Sequence, residues 1–392
     1  MERLVLQRVS VDAGWQSATE DPVSMRIIPF KKADLAETRL VDGGRWLLAS
    51  AFGTVMVYDL DDPRDEGKIL IPRYADAHEN LRTTALNVDI LKSASTLTFN
   101  LAISQDLPGY DYIPEDPPLW THIWRVTLNG HGTGAQLQAM HLMSFTPPGD
   151  LSAFRSASLY GDRYTRGLIY PGVGPCVEIY DWTASSSKEH RKTVISERCD
   201  RLQLLSHDQI LIFEGNDILL CDIPALETCL PSSRHPGSII IPCRSISLPG
   251  TKFLRGGPSQ LRSSSSMCYE FVSATDAGIF AVKLSATASS AHILHAIGDE
   301  ERVIDVLVGA RRVYIRFCQF AEAFSYRTEQ IGGSGVEYRT TPPRERFIPQ
   351  EYIAWFEPQM DEASGRIAMA ASSYAIGVFY YSQFDKYKLF IS

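Results

Sequence analysis

The sequence predicts an all-β chain folded as a single β-propeller of about seven four-stranded blades. Three observations predict it. A strand–glycine turn–strand unit with an apolar–aromatic–Asp type of ending recurs, its copies fall about fifty residues apart, and helical periodicity is nearly absent. The first copy reads Trp46-Leu47-Leu48-Ala49, a turn at Phe52-Gly53, then Val55-Met56-Val57-Tyr58-Asp59-Leu60. The second reads Leu168-Ile169-Tyr170, a turn from Gly172 to Pro175, then Val177-Glu178-Ile179-Tyr180-Asp181-Trp182. The third reads Ile210-Leu211-Ile212-Phe213, a turn at Gly215-Asn216, then Ile218-Leu219-Leu220-Cys221-Asp222-Ile223. Aligned on Asp59, Asp181 and Asp222, apolar residues recur at alternate positions before the aspartate, which is the period of a strand with a buried face.

Four fainter copies continue the series. Trp124-Arg125-Val126 follows the strand Leu97 to Ala102, and Ile279 to Lys283 follows Phe271-Val272 and Gly278 with lysine in the aspartate slot. Val313, Ile315 and Phe317 alternate ahead of Phe324-Ser325-Tyr326, and Arg366 to Ala371 precedes Ile376 to Tyr381. The propeller domain is expected over 23–392, with 1–22 an N-terminal extension or linker remnant. A propeller has to join its ends, because an unpaired strand edge is a pairing hazard. Val23 to Phe30 and Tyr387 to Ile391 are the candidate closing strands. Helix is expected only at Lys31 to Leu40 and near Glu300. A pair of β-sandwiches is the competing architecture, but it gives no reason for the repeated strand ending.

Composition narrows the function classes. The chain has 392 residues, 44% of them hydrophobic and 21% charged, enough for a large core. A net charge of −8 argues against nucleic acid, whose phosphates need a basic face. No apolar run approaches the roughly 18 residues of a membrane span, so no membrane partner is expected. The seven cysteines form no Cys-x-x-Cys pair, and no glycosylation sequon occurs. An intracellular monomer is expected, cytoplasmic or nuclear.

The chemistry-bearing residues form no familiar catalytic set. There is no His-Glu-x-x-His, no Gly-x-Ser-x-Gly elbow and no phosphate loop; His292 and His295 lie in a β-rich segment, where a lone histidine pair reads as structural, and His131 and His141 flank a Gly-rich segment without a nearby carboxylate partner. Glycines at 172–174 and 332–335 read as hairpin turns. The acidic stretch from Asp106 to Asp116 lacks the pattern of a calcium loop. The recurring aspartates read as turn elements that accept backbone N–H bonds. No catalytic residue, metal or cofactor is expected.

Recognition would then fall to insertions between blades, read at Gln105 to Pro118, Ser185 to Arg191 and Arg339 to Pro349. Thr228 to Tyr269 contains no acidic residue and reads as a basic loop band, with Ser263 to Ser266 at its tip. Aromatics and arginines make the best interface anchors. The partner-binding candidates are therefore Tyr110, Tyr112 and Trp120 in the acidic insertion, with Lys252, Arg255 and Arg262 in the basic band.

The strand endings, with Gly43-Gly44-Arg45-Trp46-Leu47-Leu48 leading into the first, resemble degenerate WD40-like repeats. More narrowly, the chain from about Met25 to Tyr381 resembles the C-terminal region of F-box proteins of mushroom-forming fungi. Those proteins carry a Gly-Gly-Arg-Trp-Leu-type strand and a later Asp-x-x-Ser-Gly-Arg element, here Asp361-Glu362-Ala363-Ser364-Gly365-Arg366. The resemblance implies a substrate-recognition module of an SCF-type ubiquitin ligase, docking a Skp1-type adaptor through an F-box. The F-box itself is not found in the sequence. The expected function is a non-enzymatic protein–protein interaction platform. The alternative is a propeller-fold hydrolase or lyase with an axial carboxylate or metal site.

Overall fold

The computed structural model describes residues 24–30, 37–51, 53–73, 82–106, 120–145, 153–170, 174–186, 188–230, 241–254, 262–265, 268–285, 288–298, 303–309, 311–317, 321–331, 335–340, 344–346, 359–372 and 375–380. Among them, strands form seven antiparallel sheets, and the one helical element is a 3-10 turn at Gly132–Gly134. Blade 1 runs Glu37–Leu40, Trp46–Ala51, Thr54–Asp59, Lys68–Ile71, each strand beside the next. Blade 2 is Arg82–Ile90, Thr98–Asp106, Trp120–Asn129 and Gln136–Phe145. Blade 3 is Ala153–Tyr160, Arg163–Tyr170, Gly174–Asp181 and His190–Ile195, with Glu227–Cys229 added outside. Blade 4 is Arg201–Leu204, Gln209–Glu214, Asp217–Asp222 and Arg244–Ser247; blade 5 is Arg262–Ser265, Cys268–Thr275, Gly278–Ser285 and Ser289–Ala296. Blade 6 is Val303–Val308, Arg312–Phe317, Ala321–Ile331 and Gly335–Thr340. Blade 7 is Gln359–Asp361, Arg366–Ser372 and Ala375–Tyr380, completed by Ser24–Pro29. This is the seven-bladed β-propeller class.

The chain divides into two compact units, Met1–Leu48 with Tyr58–Glu66 and Leu248–Ser392, and Ala49–Val57 with Gly67–Ser247. Within the first unit, Val313, Ile315 and Phe317 pack with Ile279 and Ala281 of blade 5. Tyr314, on the opposite face of the same strand, packs with Ile367, Met369 and Phe379 of blade 7. Within the second, Val177, Ile179 and Ile195 of blade 3 meet Leu202, Leu204 and Ile210 of blade 4. A strand with a neighbour on both faces has no solvent side, so Trp46–Ala51 and Arg312–Phe317 are buried throughout.

The expected closure is present. Ser24–Pro29 pairs antiparallel with Ala375–Tyr380, Ser24 opposite Tyr380 and Pro29 opposite Ala375. Side chains fasten the joint to the segment 59–65 that leaves the third strand of blade 1. Arg26 donates to the carbonyls of Asp59 (3.4 Å), Asp62 (2.9 Å) and Asp65. Arg366 donates to the Gly44 carbonyl and to Asp61, both at 2.7 Å. The Tyr380 hydroxyl donates to the Leu60 carbonyl at 3.5 Å. The Gly-Gly-Arg-Trp and Asp-x-x-Ser-Gly-Arg elements, far apart in sequence, therefore meet here.

Several expectations are corrected. Glu37–Leu40 is a strand, not helix, with Thr38 and Leu40 buried in alternation; Val303–Val308, next to Glu300, is also a strand. The 105–118 insertion is internal to blade 2, joining its second and third strands, and Ser185 to Arg191 is likewise internal to blade 3, ending in the strand that starts at His190. Arg344–Arg346 is a strand against Ala321–Ala323. The basic band is no single loop: Arg244–Ser247 and Arg262–Ser265 are strands in sheets, and Phe253 makes an isolated bridge to Thr275. Where a strand replaces an expected loop or helix, long-range strand pairing overrode the local composition.

Candidate functional site

Three of the six partner-binding candidates, Tyr110, Tyr112 and Arg255, lie outside the described residues, as do 1–22 and Tyr387 to Ile391. Trp120 opens the third strand of blade 2, directly opposite Gln105. Lys252 is exposed in the connection ahead of blade 5, its backbone carbonyl accepting from the Asp276 N–H at 3.2 Å. Arg262 opens the first strand of blade 5, opposite Glu270. Trp120 and Lys252 sit in different compact units.

Each recurring aspartate has a side-chain partner that the sequence did not suggest. Asp59 accepts a bidentate pair from Arg45, with Nη2 to Oδ2 at 2.7 Å and Nε at 3.1 Å from Oδ1. Asp181 takes Arg163 at 2.8 Å, and Asp222 takes the Gln209 amide at 2.9 Å. In each hairpin the partner stands at or just before the start of the preceding strand, so the pair clamps the open end of the strand couple. The turn role also holds for two of the three. Asp59 accepts the Asp61 N–H at 3.0 Å, and Asp181 the Ala184 N–H at 2.9 Å. Lys283, in the aspartate slot of blade 5, faces Glu270 at 3.0 Å, so the charges are reversed and the clamp kept.

Blade 3 carries a charged network inside its sheet stack. Arg166 donates twice to Glu178 Oε2 (2.8 and 2.6 Å) and once to the Tyr180 hydroxyl (2.7 Å), which itself donates to Glu178 at 2.7 Å. Lys192 approaches the other Glu178 oxygen at 3.4 Å. Arg166 and Lys192 side chains are 0% exposed and Glu178 2%. Burial alone would push the Glu178 carboxyl up, but Arg166 and Lys192 overcome it and hold it down at about 2. His190 lies edge-on to Tyr180 at 5.7 Å, and burial, reinforced by the Lys192 and Arg166 charges, pushes its imidazole down to about 4. On blade 2, burial and the neighbouring His141 push His122 down to about 4 as well.

These two imidazoles make the fold acid-sensitive. A histidine whose folded pKa lies below its unfolded value stays neutral in the fold while the unfolded chain takes up the proton. Its contribution is therefore whole above about pH 6.5 and falls away as pH drops towards 4. We expect the unfolding free energy obtained from urea titrations to decline across that window, by on the order of 2 kcal/mol per histidine. A His122→Asn/His190→Asn chain should show a flatter profile; an unchanged slope in that variant would assign the acid sensitivity elsewhere.

Blade 2, in the same compact unit, carries a row of aromatic rings. Trp120, His122 and Trp124 share one face of the third strand of blade 2, with Ser144 opposite His122 and His141 opposite Trp124. The rings touch in series, Trp120–His122 at 6.1 Å, His122–His141 at 6.2 Å and His141–Trp124 at 4.9 Å. The Ser144 hydroxyl lies 2.7 Å from both His122 Nδ1 and His141 Nε2, joining the imidazoles. His141 is exposed and both tryptophans are half-buried, yet their indole nitrogens are shielded from water and have no acceptor among the described residues. Gln105 shares the face and its Nε2 also lacks an acceptor, but it packs beneath Gly53, where a Cβ would sit 2.2 Å from it. Among the described residues no group of three or more His, Cys, Asp or Glu is placed to hold a metal ion.

No family model matches the sequence, and no curated protein matches it. Among solved structures the chain is similar to Hsv2 of Kluyveromyces lactis, at 8% identity and a TM-score of 0.36, over 80% of this chain and 99% of that one. It is similar to Trypanosoma rangeli sialidase in complex with sialic acid, at 11% identity and 0.45, over 83% of this chain and 57% of that one. It is also similar to Drosophila semaphorin 1a, at 9% identity and 0.38, over 92% and 88%. The fold rests on the strand pairing of the chain itself.

Proposed function

We propose that this chain is a non-enzymatic protein-interaction platform whose contact surface centres on the third and fourth strands of blade 2. The observation that carries this reading is the half-exposed aromatic row of Trp120, Trp124 and His141, next to the insertion that holds Tyr110 and Tyr112. Aromatics of this kind bring large desolvatable area at low entropic cost, which is what an interface centre uses. The engagement of Asp59, Asp181, Asp222, Glu178 and Arg366 in internal pairs supports it, because these groups serve the scaffold. The finer reading, substrate recognition in an SCF-type ligase with a Skp1-type adaptor, rests on the sequence resemblance. The two motifs that carry the resemblance are the residues that fasten blade 7 to blade 1, so they speak for a shared scaffold first.

The test is capture of partners from a native extract by the full chain and by a Tyr110→Ala/Tyr112→Ala variant. A partner held by the parent and lost roughly tenfold or more by the variant, at unchanged melting temperature, supports the platform. Recovery of a Skp1-type adaptor supports the ligase reading. Equal capture by both proteins would remove the insertion from the contact, and a large stability loss in the variant would make the tyrosines core residues.

A further inference from the structure

We propose that the fourth strand of blade 6, Gly335–Thr340, pairs edge to edge with the same strand of a second copy of this chain. The inference stands apart from the platform reading and rests on backbone register and charge. Ser325 is the last residue opposite the second strand of the blade. Beyond it the third strand runs on and pairs with Gly335–Thr340 in six unbroken steps, from Tyr326 opposite Thr340 to Ile331 opposite Gly335. Among the described residues no strand pairs with the other edge of Gly335–Thr340, and Arg339 and Thr340 are exposed. Such an edge presents a row of backbone donors and acceptors to any strand that can lie along it. The other outermost strands are guarded. Lys68–Ile71, Gln136–Phe145 and Ser289–Ala296 are interrupted by bulges. Arg244–Ser247, Glu227–Cys229 and Arg344–Arg346 are four, three and three residues long, and Ser24–Pro29 ends on a proline.

Charge names the occupant. Within the ribbon the register sets Arg327 opposite Arg339 and Glu329 opposite Glu337, like charges at directly opposed positions, which destabilise a pair of strands. A second Gly335–Thr340 strand, laid antiparallel about a two-fold axis through Tyr338, reverses this. It sets Glu337 opposite Arg339 of the second copy and Arg339 opposite its Glu337, with the two Tyr338 residues directly opposed and Val336 opposite Thr340 on either side. A parallel copy in register would oppose like to like again, and an uncharged strand would set no charge against either residue. The run Val336-Glu337-Tyr338-Arg339-Thr340 is thus complementary to itself in one orientation, which is how an isologous contact selects its own copy over other strands. Pro342 and Pro343, next but one in the chain, carry no N–H with which to extend the ladder. A monomer is the expectation from the sequence; an edge of six residues gives a dimer that is weak and reversible.

Sedimentation equilibrium of the purified full chain across roughly 1–300 µM, where a small transient contact shows itself, reads the association. The weight-average mass is expected to climb with concentration from that of one chain towards that of two. Glu337→Arg alone and Arg339→Glu alone should each weaken the dimer about tenfold or more, since each turns two opposite-charge pairs into like ones. The double variant Glu337→Arg/Arg339→Glu should recover it, because the charges are exchanged and the complementarity is kept. Each single change also sets an opposite charge across the ribbon, against Glu329 or Arg327, so the melting temperature should hold or rise while association falls. If a variant does not fold, amide exchange in the parent chain decides: protection at 336–340 should rise with concentration. The mass of one chain throughout, equal association in all four proteins, a double variant as weak as the singles, or protection that ignores concentration would overturn the proposal. So would a purified chain that stays monomeric and gains protection at 336–340 only in a native extract, because the edge would then belong to a strand of another protein.

Discussion

Replacing Glu178 by alanine is expected to destabilise the fold by about 3–5 kcal/mol, a large loss for a single substitution. The reason is the company it keeps. Arg166 and Lys192 are fully buried and share this carboxylate, so its removal withdraws the negative charge from between two desolvated cations. It also removes the acceptor of the Tyr180 hydroxyl. Charge removal should matter more than the small cavity, so Glu178→Gln should recover little. An Arg166→Met/Glu178→Leu/Lys192→Met chain should instead fall within about 1–2 kcal/mol of the parent, because the network's desolvation penalty disappears along with its attraction. Denaturant unfolding of the three variants checks this. A loss under about 1 kcal/mol for Glu178→Ala would show that the network is far better hydrated than its burial indicates. The sign with pH follows from the depressed carboxyl. Glu178 contributes fully above its unfolded value near 4.5 and loses that contribution as pH falls towards 2, below the window in which the histidines act.

This network was not legible in the sequence. Arg166, Glu178 and Lys192 are polar residues on strands, and strand alternation assigns such residues to solvent. Blade 3 buries both faces, and Tyr164 from its second strand reaches Ser104 of blade 2 at 2.6 Å, so the polar face is an interior one. What the sequence did show was what period-2 apolar spacing sets, namely the second and third strands of the blades, with the glycine turn at Gly215-Asn216. Of the turn read from Gly172 to Pro175, 171–173 lie outside the described residues, and Gly174 and Pro175 are already paired in the strand Gly174–Asp181. The closing strand was also legible, because the class of fold requires one. The aspartate clamps were half-visible. The aspartate recurs, but Arg45, Arg163 and Gln209 differ in type, and only the strand register brings each to its partner. Trp120 was picked out as an anchor, while His122, Trp124, His141 and Ser144 were missed as its neighbours. A Trp-x-His-x-Trp run on one strand is a signal that could have found them, since period 2 puts all three side chains on one face.

Gly44→Ala is the second large loss, expected at about 3 kcal/mol from the backbone and crowding costs together, and it tests whether the two distant sequence elements act as one fastening. Gly44 has φ +67°, and a Cβ there would lie 1.9 Å from Ser364 Oγ and 2.6 Å from Asp361 Oδ2. Left-handed backbone costs a residue with a side chain about 1–2 kcal/mol. Crowding at a tightly packed contact adds about 1–3 kcal/mol. Ser364 cannot yield freely, because its N–H is held by Asp361 at 3.1 Å and its side chain is buried. The neighbouring glycine separates the two causes: Gly43 has φ +92° but nothing within 4 Å of its would-be Cβ, so Gly43→Ala should cost only the backbone share. Arg366→Ala should cost about 2–3 kcal/mol, since it leaves the Gly44 carbonyl and Asp61 without this donor. Because both substitutions loosen one contact, the double variant should fall short of the sum of the singles by more than about 0.5 kcal/mol. Hydrogen exchange locates the damage. Protection should drop at Ser24–Pro29 and Ala375–Tyr380, whose pairing the fastening supports, while the Arg163–Tyr170 and Gly174–Asp181 strands of blade 3 keep theirs. Equal losses for Gly43→Ala and Gly44→Ala, or additive singles with protection lost uniformly, would mean that Gly44 serves only its own turn.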